Sequence, residues 1–359
     1  MLASSSTGRA LLVGVVAAIV AAACGGTTTS TEDVGSGALT GAGATFPDPF
    51  YKKAFFDYSA KHPQVTVNYQ AVGSGAGIQQ FIAGTVDFGA SDVPMGSADI
   101  AKVNGGASAL VQVPTTLGVI SIAYNLQGVS KLQLDGATLA NIYLGHIKTW
   151  NDPAITALNS GVNLPSSAIQ VVHRSDGSGT TYHFTDYLAK VSDEWKTSVG
   201  VAKSVKWPAG IGGSGNQGVA QAVSSTAGAI GYVELAYVVQ TGMSQAYLKN
   251  ASGKFVQASV AGATAAAASN TNVSPTNFSI TNATGDEAYP IAGFSWVILP
   301  TSVSDAKKGK ALAYLFKWLV SEGQSEGTSL QYAPLPKAVQ DLALNNLKTI
   351  KANGQVALG

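Results

Sequence analysis

The chain has 359 residues, 46% hydrophobic and 11% charged, with 21 Lys and Arg against 20 Asp and Glu. That length exceeds one ordinary core and fits two domains. The apolar content excludes a disordered chain, and the even charge split leaves no basic field for nucleic acid, so any ligand must be held by local groups.

The amino terminus reads as an export signal over residues 1–23. Arg9 is the only charge before residue 30, and the apolar run Ala10 to Ala23 is short for a transmembrane helix. Cys24 closes the run. It is the only cysteine, which excludes an internal disulfide and a Cys-based zinc site. A lone cysteine after Ala21-Ala22-Ala23 is similar to a bacterial lipobox, where lipid is attached to the thiol and the signal is cut just before it. The plainer alternative is a chance cysteine behind an ordinary signal. On the lipobox reading, residues 24–38, rich in Gly, Thr and Ser, are a lipid-anchored flexible tether. The protein then sits on the outer face of the cytoplasmic membrane.

From Leu39 the pattern alternates β and α. Val65-Thr66-Val67-Asn68-Tyr69 has the period of a strand, and Ile78, Phe81 and Ile82 share one helical face. Val86 to Ala90, Leu110 to Val113 and Gly118 to Tyr124 are expected as separate strands. Leu139 to Leu144 and Tyr182 to Val191 read as helices, and Ile169 to Val172 and Ile230 to Val233 as buried strands. The stretch 258–285, rich in Ala, Ser, Thr and Asn, is expected at the surface with a short helix through Ala265–Ala268. Leu312, Leu315, Phe316, Leu319 and Val320 follow helical spacing, so Asp305 to Ser321 is an amphipathic helix.

Three glycine-rich turns stand just before helix candidates: Gly41 to Pro47, Gly73 to Gly77, and Arg174 to Thr180. A helix start carries free N–H groups and a partial positive charge, and glycine lets an anion approach that backbone closely. One such turn alone is ordinarily a helix cap. Three of them, one led by an arginine, point to an oxyanion site. Rival motifs are incomplete. Gly73-x-Gly75-x-Gly77 lacks the last glycine of a dinucleotide fingerprint, no G-K-[ST] P-loop occurs, and Asp176-Gly177-Ser178-Gly179 is not a nucleophile elbow. His62, His146, His173 and His183 form no ligand spacing, and packing or surface roles are expected for them. No catalytic residue, metal or cofactor is indicated.

At these residues the chain resembles the phosphate-binding proteins of phosphate ABC importers. The resemblance rests on Thr40-Gly41-Ala42-Gly43-Ala44-Thr45-Phe46-Pro47, Val86 to Asp92, Ile142 to Gly145, Asp176 to Thr180, Lys206-Trp207-Pro208 and Gly228 to Glu234. These motifs occur in order from about Leu39 to Leu335. It implies an α/β, two-lobe periplasmic-binding-protein fold with a two-strand hinge. Lobe I would be 39–125 plus 291–359 and lobe II 126–290. The implied phosphate ligands are Thr45, Phe46 through its N–H, Ser74 and Asp92 from the first lobe, and Arg174, Ser178, Gly179 and Thr180 from the second. Asp176 would hold the Arg174 guanidinium in place. In the second turn, Gly75-Ala76-Gly77 replaces the Ser-Gly-Gly usual in the family. The resemblance further implies inorganic phosphate as ligand, the permease and ATPase subunits of an ABC transporter as partners, a monomer, and no catalysis. Two alternatives stay open: an enzyme acting on phosphate esters, and a binding protein for sulfate or another oxyanion.

Overall fold

The computed structural model describes residues Glu32 to Gly359, and the signal segment and Cys24 lie outside them. Packing begins at Val34, which is buried. The first strand starts at Gly37, inside the stretch read as tether.

In chain order the elements that build the frame are β1 (Gly37–Gly43), α1 (Asp48–Lys61), β2 (Val65–Ala71), α2 (Ser74–Ile82), β3 (Phe88–Ser91), β4 (Leu110–Tyr124), β5 (Gln170–Arg174), α3 (Gly179–Val191), β6 (Ile211–Gly213), α4 (Gly215–Ser225), β7 (Ala229–Glu234), α5 (Leu235–Thr241), β8 (Ala292–Pro300) and α6 (Ala306–Leu319). The strands form one sheet in the order β2-β1-β3-β8-β4-β7-β5-β6, with the short strand Ser244–Gln245 added beside β4. β1 is parallel to β2 and β3, and β5 is parallel to β6 and β7. These parallel strands are joined by helices, as the right-handed β-α-β crossover requires.

The two parallel groups are connected through an antiparallel centre. Leu110 to Val119 of β4 pair with β8, and Ile120 to Tyr124 pair with β7. β4 is therefore common to two halves. The Ile120 N–H donates to the Ile291 carbonyl at 2.8 Å where the chain returns from the second half to the first.

Two expectations change. The separate strands at 110–113 and 118–124 are one continuous β4. Pro114 and Thr115 read as an interruption, but a bulge absorbs them: the register slips between Ser295 and Trp296, which face Thr116 and Pro114. The stretch 258–285 is not merely surface. Its helix spans Val260–Ala267, earlier than expected, and Gly262, Ala263, Ala266 and Ala267 are buried. The helix lies against β4 and β8. Gly262 passes so close to Tyr289 that a Cβ would meet its side chain at 2.9 Å. Small residues here serve close packing. No helix of the described residues is long and apolar enough to cross a membrane.

Candidate functional site

Parallel strands of both halves end on a common cleft, where their helices begin. This is where open α/β sheets present free N–H groups. The turns β1–α1, β2–α2, β5–α3 and β6–α4 meet there, joined by Asp92 just past β3. Thr45, Phe46, Ser74, Asp92, Arg174, Ser178 and Thr180 are all at most 3% exposed.

Hydrogen bonds tie these residues across the halves. Ser74 Oγ accepts from the N–H of Asp92 at 3.3 Å and of Gly179 at 3.1 Å, and lies 3.5 Å from Asp92 Oδ2. The Gly75 N–H donates to the Gly177 carbonyl at 2.8 Å. Such approach requires glycine. A Cβ on Gly179 would stand 2.4 Å from Asp92 Cβ. Gly73 has φ +96° and faces Asp176 Oδ2 at 2.3 Å from its ideal Cβ.

Arg174 ends β5. Its Nε and Nη2 fork onto Asp176 Oδ1 and Oδ2 at 2.7 and 2.5 Å, and Nη1 donates to Thr180 Oγ1 at 3.3 Å. This is a planar, bidentate arrangement that fixes the guanidinium. Burial pushes the Asp176 carboxyl up. The Arg174 hydrogen bonds and charge, with the Gly215 N–H, outweigh it and hold the group below the usual aspartate range.

Asp92 is held differently. Ser295 Oγ donates to its Oδ1 at 2.5 Å. Burial raises its pKa to about 7, although Ser295, the Arg174 charge, Ser74 and the Thr180 N–H all pull downward. A buried carboxyl with no direct cation sits among donors from two helix starts. It can accept a hydrogen bond when ionised or donate one when protonated.

Not every sequence-predicted residue uses the expected atoms. Phe46 turns its ring onto Gly118 and Tyr332, and its carbonyl accepts from the Tyr332 hydroxyl at 2.6 Å. Ser178 Oγ caps α3 by accepting from the Thr181 N–H at 3.1 Å. That leaves its hydroxyl hydrogen for another acceptor. His183 is fully buried and donates from Nε2 to the Asp92 carbonyl at 2.9 Å, a packing role.

The structure adds residues that the sequence reading passed over. Asn216, the second residue of α4, donates from N and Nδ2 to Thr45 Oγ1, both at 3.0 Å, and from Nδ2 to Thr180 Oγ1 at 3.2 Å. Its signal was present: Gly212-Gly213-Ser214-Gly215 is a fourth glycine-rich turn between strand and helix. Tyr237 donates to the Thr45 carbonyl at 2.6 Å. Ser295 had no signal, because only the pairing of β8 with β3, in which Trp296 faces Ser91, brings its side chain beside Asp92.

Comparison with known proteins follows this geometry. The model of the PBP superfamily domain matches residues 27–322. The phosphate-binding protein PstS of Xylella fastidiosa (strain Temecula1) is 46% identical over 311 residues, covering 86% of this chain and 84% of the relative. The chain belongs to the PstS family. The PstS of Pasteurella multocida is 45% identical over 84% of this chain and 87% of its own. That of Methanocaldococcus jannaschii is 34% identical over 86% and 85%. Among solved structures, the phosphate-binding protein of Stenotrophomonas maltophilia superposes with a TM-score of 0.69 at 21% identity, covering 90% of this chain and 99% of that one. At that identity the likeness is one of fold, the two-lobe periplasmic-binding-protein architecture. Four of the six segments that carry the resemblance border the cleft: Thr40 to Pro47 closes β1, Val86 to Asp92 contains β3, Asp176 to Thr180 opens α3 and Gly228 to Glu234 contains β7, whose last residue reaches it.

Proposed function

We propose that the chain captures inorganic phosphate between its halves and delivers it to the permease and ATPase subunits of a phosphate ABC importer, as a binding protein without catalysis. The observation that carries this reading is Asp92, a carboxyl buried among anion-seeking donors and lacking its own cation. A carboxylate repels a bare anion, but phosphate near neutral pH carries a proton that an ionised carboxylate can accept in a charge-assisted bond. Sulfate offers no such proton. The relatives named for phosphate binding support the same ligand.

The proposed ligands are Thr45, the Phe46 N–H, Ser74, Asp92, Arg174, Ser178, Gly179 and Thr180, with Asn216 added and Asp176 orienting the guanidinium. They come from lobe I (39–125 plus 291–359) and lobe II (126–290). A ligand held by both favours the closed state by its extra affinity for it. The hinge is assigned to β4 and the return at Ile291, and the protein is taken to act as a monomer. Calorimetric titration of the mature domain tests the ligand. Tight phosphate binding with no competition from sulfate is expected, and equal binding of both would sink the reading.

The lipid anchor at Cys24 belongs to the same proposal, supported by the lone cysteine behind the apolar run. Two acyl chains anchor stably where one does not. A Cys24→Ala protein should be shed or retained as precursor in cell fractionation. Membrane attachment with normal processing would remove the anchor from the account.

A further inference from the structure

Glu234 ends β7, fully buried. The Tyr332 hydroxyl lies 2.6 Å from the Phe46 carbonyl oxygen and 3.0 Å from Glu234 Oε2. A phenol has one hydrogen, and a carbonyl can only accept. The shorter contact uses that hydrogen. The longer one then lacks a hydrogen unless the carboxyl supplies it. Oε2 also accepts from the Ala236 N–H at 2.9 Å, which a protonated oxygen still can do. Oε1 is buried with no hydrogen-bond partner. Ionised, it would be a fully buried charge with no cation paired to it, which is costly.

The surroundings agree. The titratable groups facing Glu234 are Tyr332, Tyr237 and Asp92. Asp48 stands near both tyrosines. The nearby Arg174 guanidinium is committed to Asp176 and Thr180. Burial pushes the Glu234 carboxyl well above the usual glutamate range, and the Asp92 charge adds to this against the opposing hydrogen bonds.

We infer that Glu234 is a neutral carboxylic acid that latches the closed cleft: its proton bridges to Tyr332 of the other half, and closure takes that proton up. The inference rests on the reading that the halves close on phosphate. Tyr332 and Phe46 approach from the first half, while Ala236 and Asn216, whose Oδ1 accepts from the Glu234 N–H at 3.0 Å, belong to the second. With the halves apart, Glu234 regains water and titrates nearer its ordinary value. Because the closed-state pKa is the raised one, this contribution is present below the ordinary value and is lost as pH rises through the raised one. Phosphate affinity should weaken over that window.

Infrared spectroscopy of phosphate-saturated protein labelled with 13C-glutamate tests the protonation. Glu32, Glu194, Glu287 and Glu322 are exposed and Glu326 is half-buried. A glutamic-acid C=O band that shifts with the label must then come from Glu234, and Glu234→Gln should abolish it. Absence of that band from the wild type overturns the latch, whatever the variant's folding. Calorimetry at about pH 6.5 in buffers of different ionisation enthalpy counts protons per phosphate. The wild type should take up more than Glu234→Gln, by an amount approaching one proton. A glutamine amide can donate to the Tyr332 hydroxyl or accept from the Ala236 N–H at this position but not both, so phosphate affinity should fall by about tenfold or less. Equal proton counts with intact phosphate binding overturn the linkage. Absence of any phosphate heat in the wild type sinks the phosphate reading and the linkage with it.

Discussion

Asp92 and Asp176 are the same residue type within reach of the same arginine, yet they lean toward opposite protonation states. Asp176 takes two hydrogen bonds from Arg174, and burial is overcome. Asp92 feels the Arg174 charge only at a distance, and burial wins, raising it to about 7. A direct, bidentate contact decides where diffuse attraction does not. The second half thus contributes a fixed cation, forked onto Asp176 and hydrogen-bonded to Thr180. The first half contributes a carboxyl left without a cation, poised to share a proton.

The hardest blow to this contrast is Arg174→Ala. It removes the charge-assisted donors and leaves the half-buried Asp176 with only the Gly215 N–H. Such bonds are worth about 1.5–3 kcal/mol each, so phosphate affinity should fall by roughly a hundredfold or more in calorimetric titration. Retention of affinity within about tenfold would break the assignment of Arg174 as the cation of the site. Asp92→Asn sharpens the other side. Asparagine keeps the shape and exchanges repulsion for a donor, so sulfate should gain and the phosphate-to-sulfate ratio should drop by about 1–3 kcal/mol in competition titrations. An unchanged ratio would mean that Asp92 does not read the ligand's proton.

Much of this candidate site is legible in the sequence, and the reason is chemical. Gly41 to Pro47, Gly73 to Gly77 and Arg174 to Thr180 place flexible turns with a hydroxyl residue between a strand and a helix, and three of them in one chain, one led by an arginine, point beyond helix capping to an oxyanion site. Asn216 carried the same signal in Gly212 to Gly215 and was overlooked for want of a charged neighbour. Ser295 was not legible. It lies in the apolar run Ala292–Pro300 and reaches Asp92 only through the antiparallel register of β8 with β3, a long-range pairing that no local pattern announces. The bulge at Pro114 and Thr115 hid the continuity of β4, since Pro114 ordinarily argues against a central strand. Residues 258–285 misled by composition. Alanine and glycine look like surface filler until Tyr289 is found pressed against Gly262.

The gentlest test separates closure from ligand choice. Tyr237, on α5 of the second half, is 7% exposed and donates to the Thr45 carbonyl of the first at 2.6 Å. Burial, with Asp48 nearby, drives its hydroxyl pKa up, so it remains a protonated donor. The bond joins the halves without being placed on the ligand. Tyr237→Phe retains the ring and removes only the donor, leaving a carbonyl without that bond in the closed form. A lost hydrogen bond of this kind costs about 1 kcal/mol or somewhat more, so phosphate should bind about fivefold more weakly. Because any oxyanion held by both halves would need the same closed form, the phosphate-to-sulfate ratio should stay where it was. The two quantities come from one pair of titrations. Weaker phosphate binding with the ratio preserved assigns Tyr237 to closure and leaves selection with Asp92. A shifted ratio would show that the clasp between the halves also shapes the carboxyl's view of its ligand, and the contrast between the two aspartates would no longer account for selectivity alone.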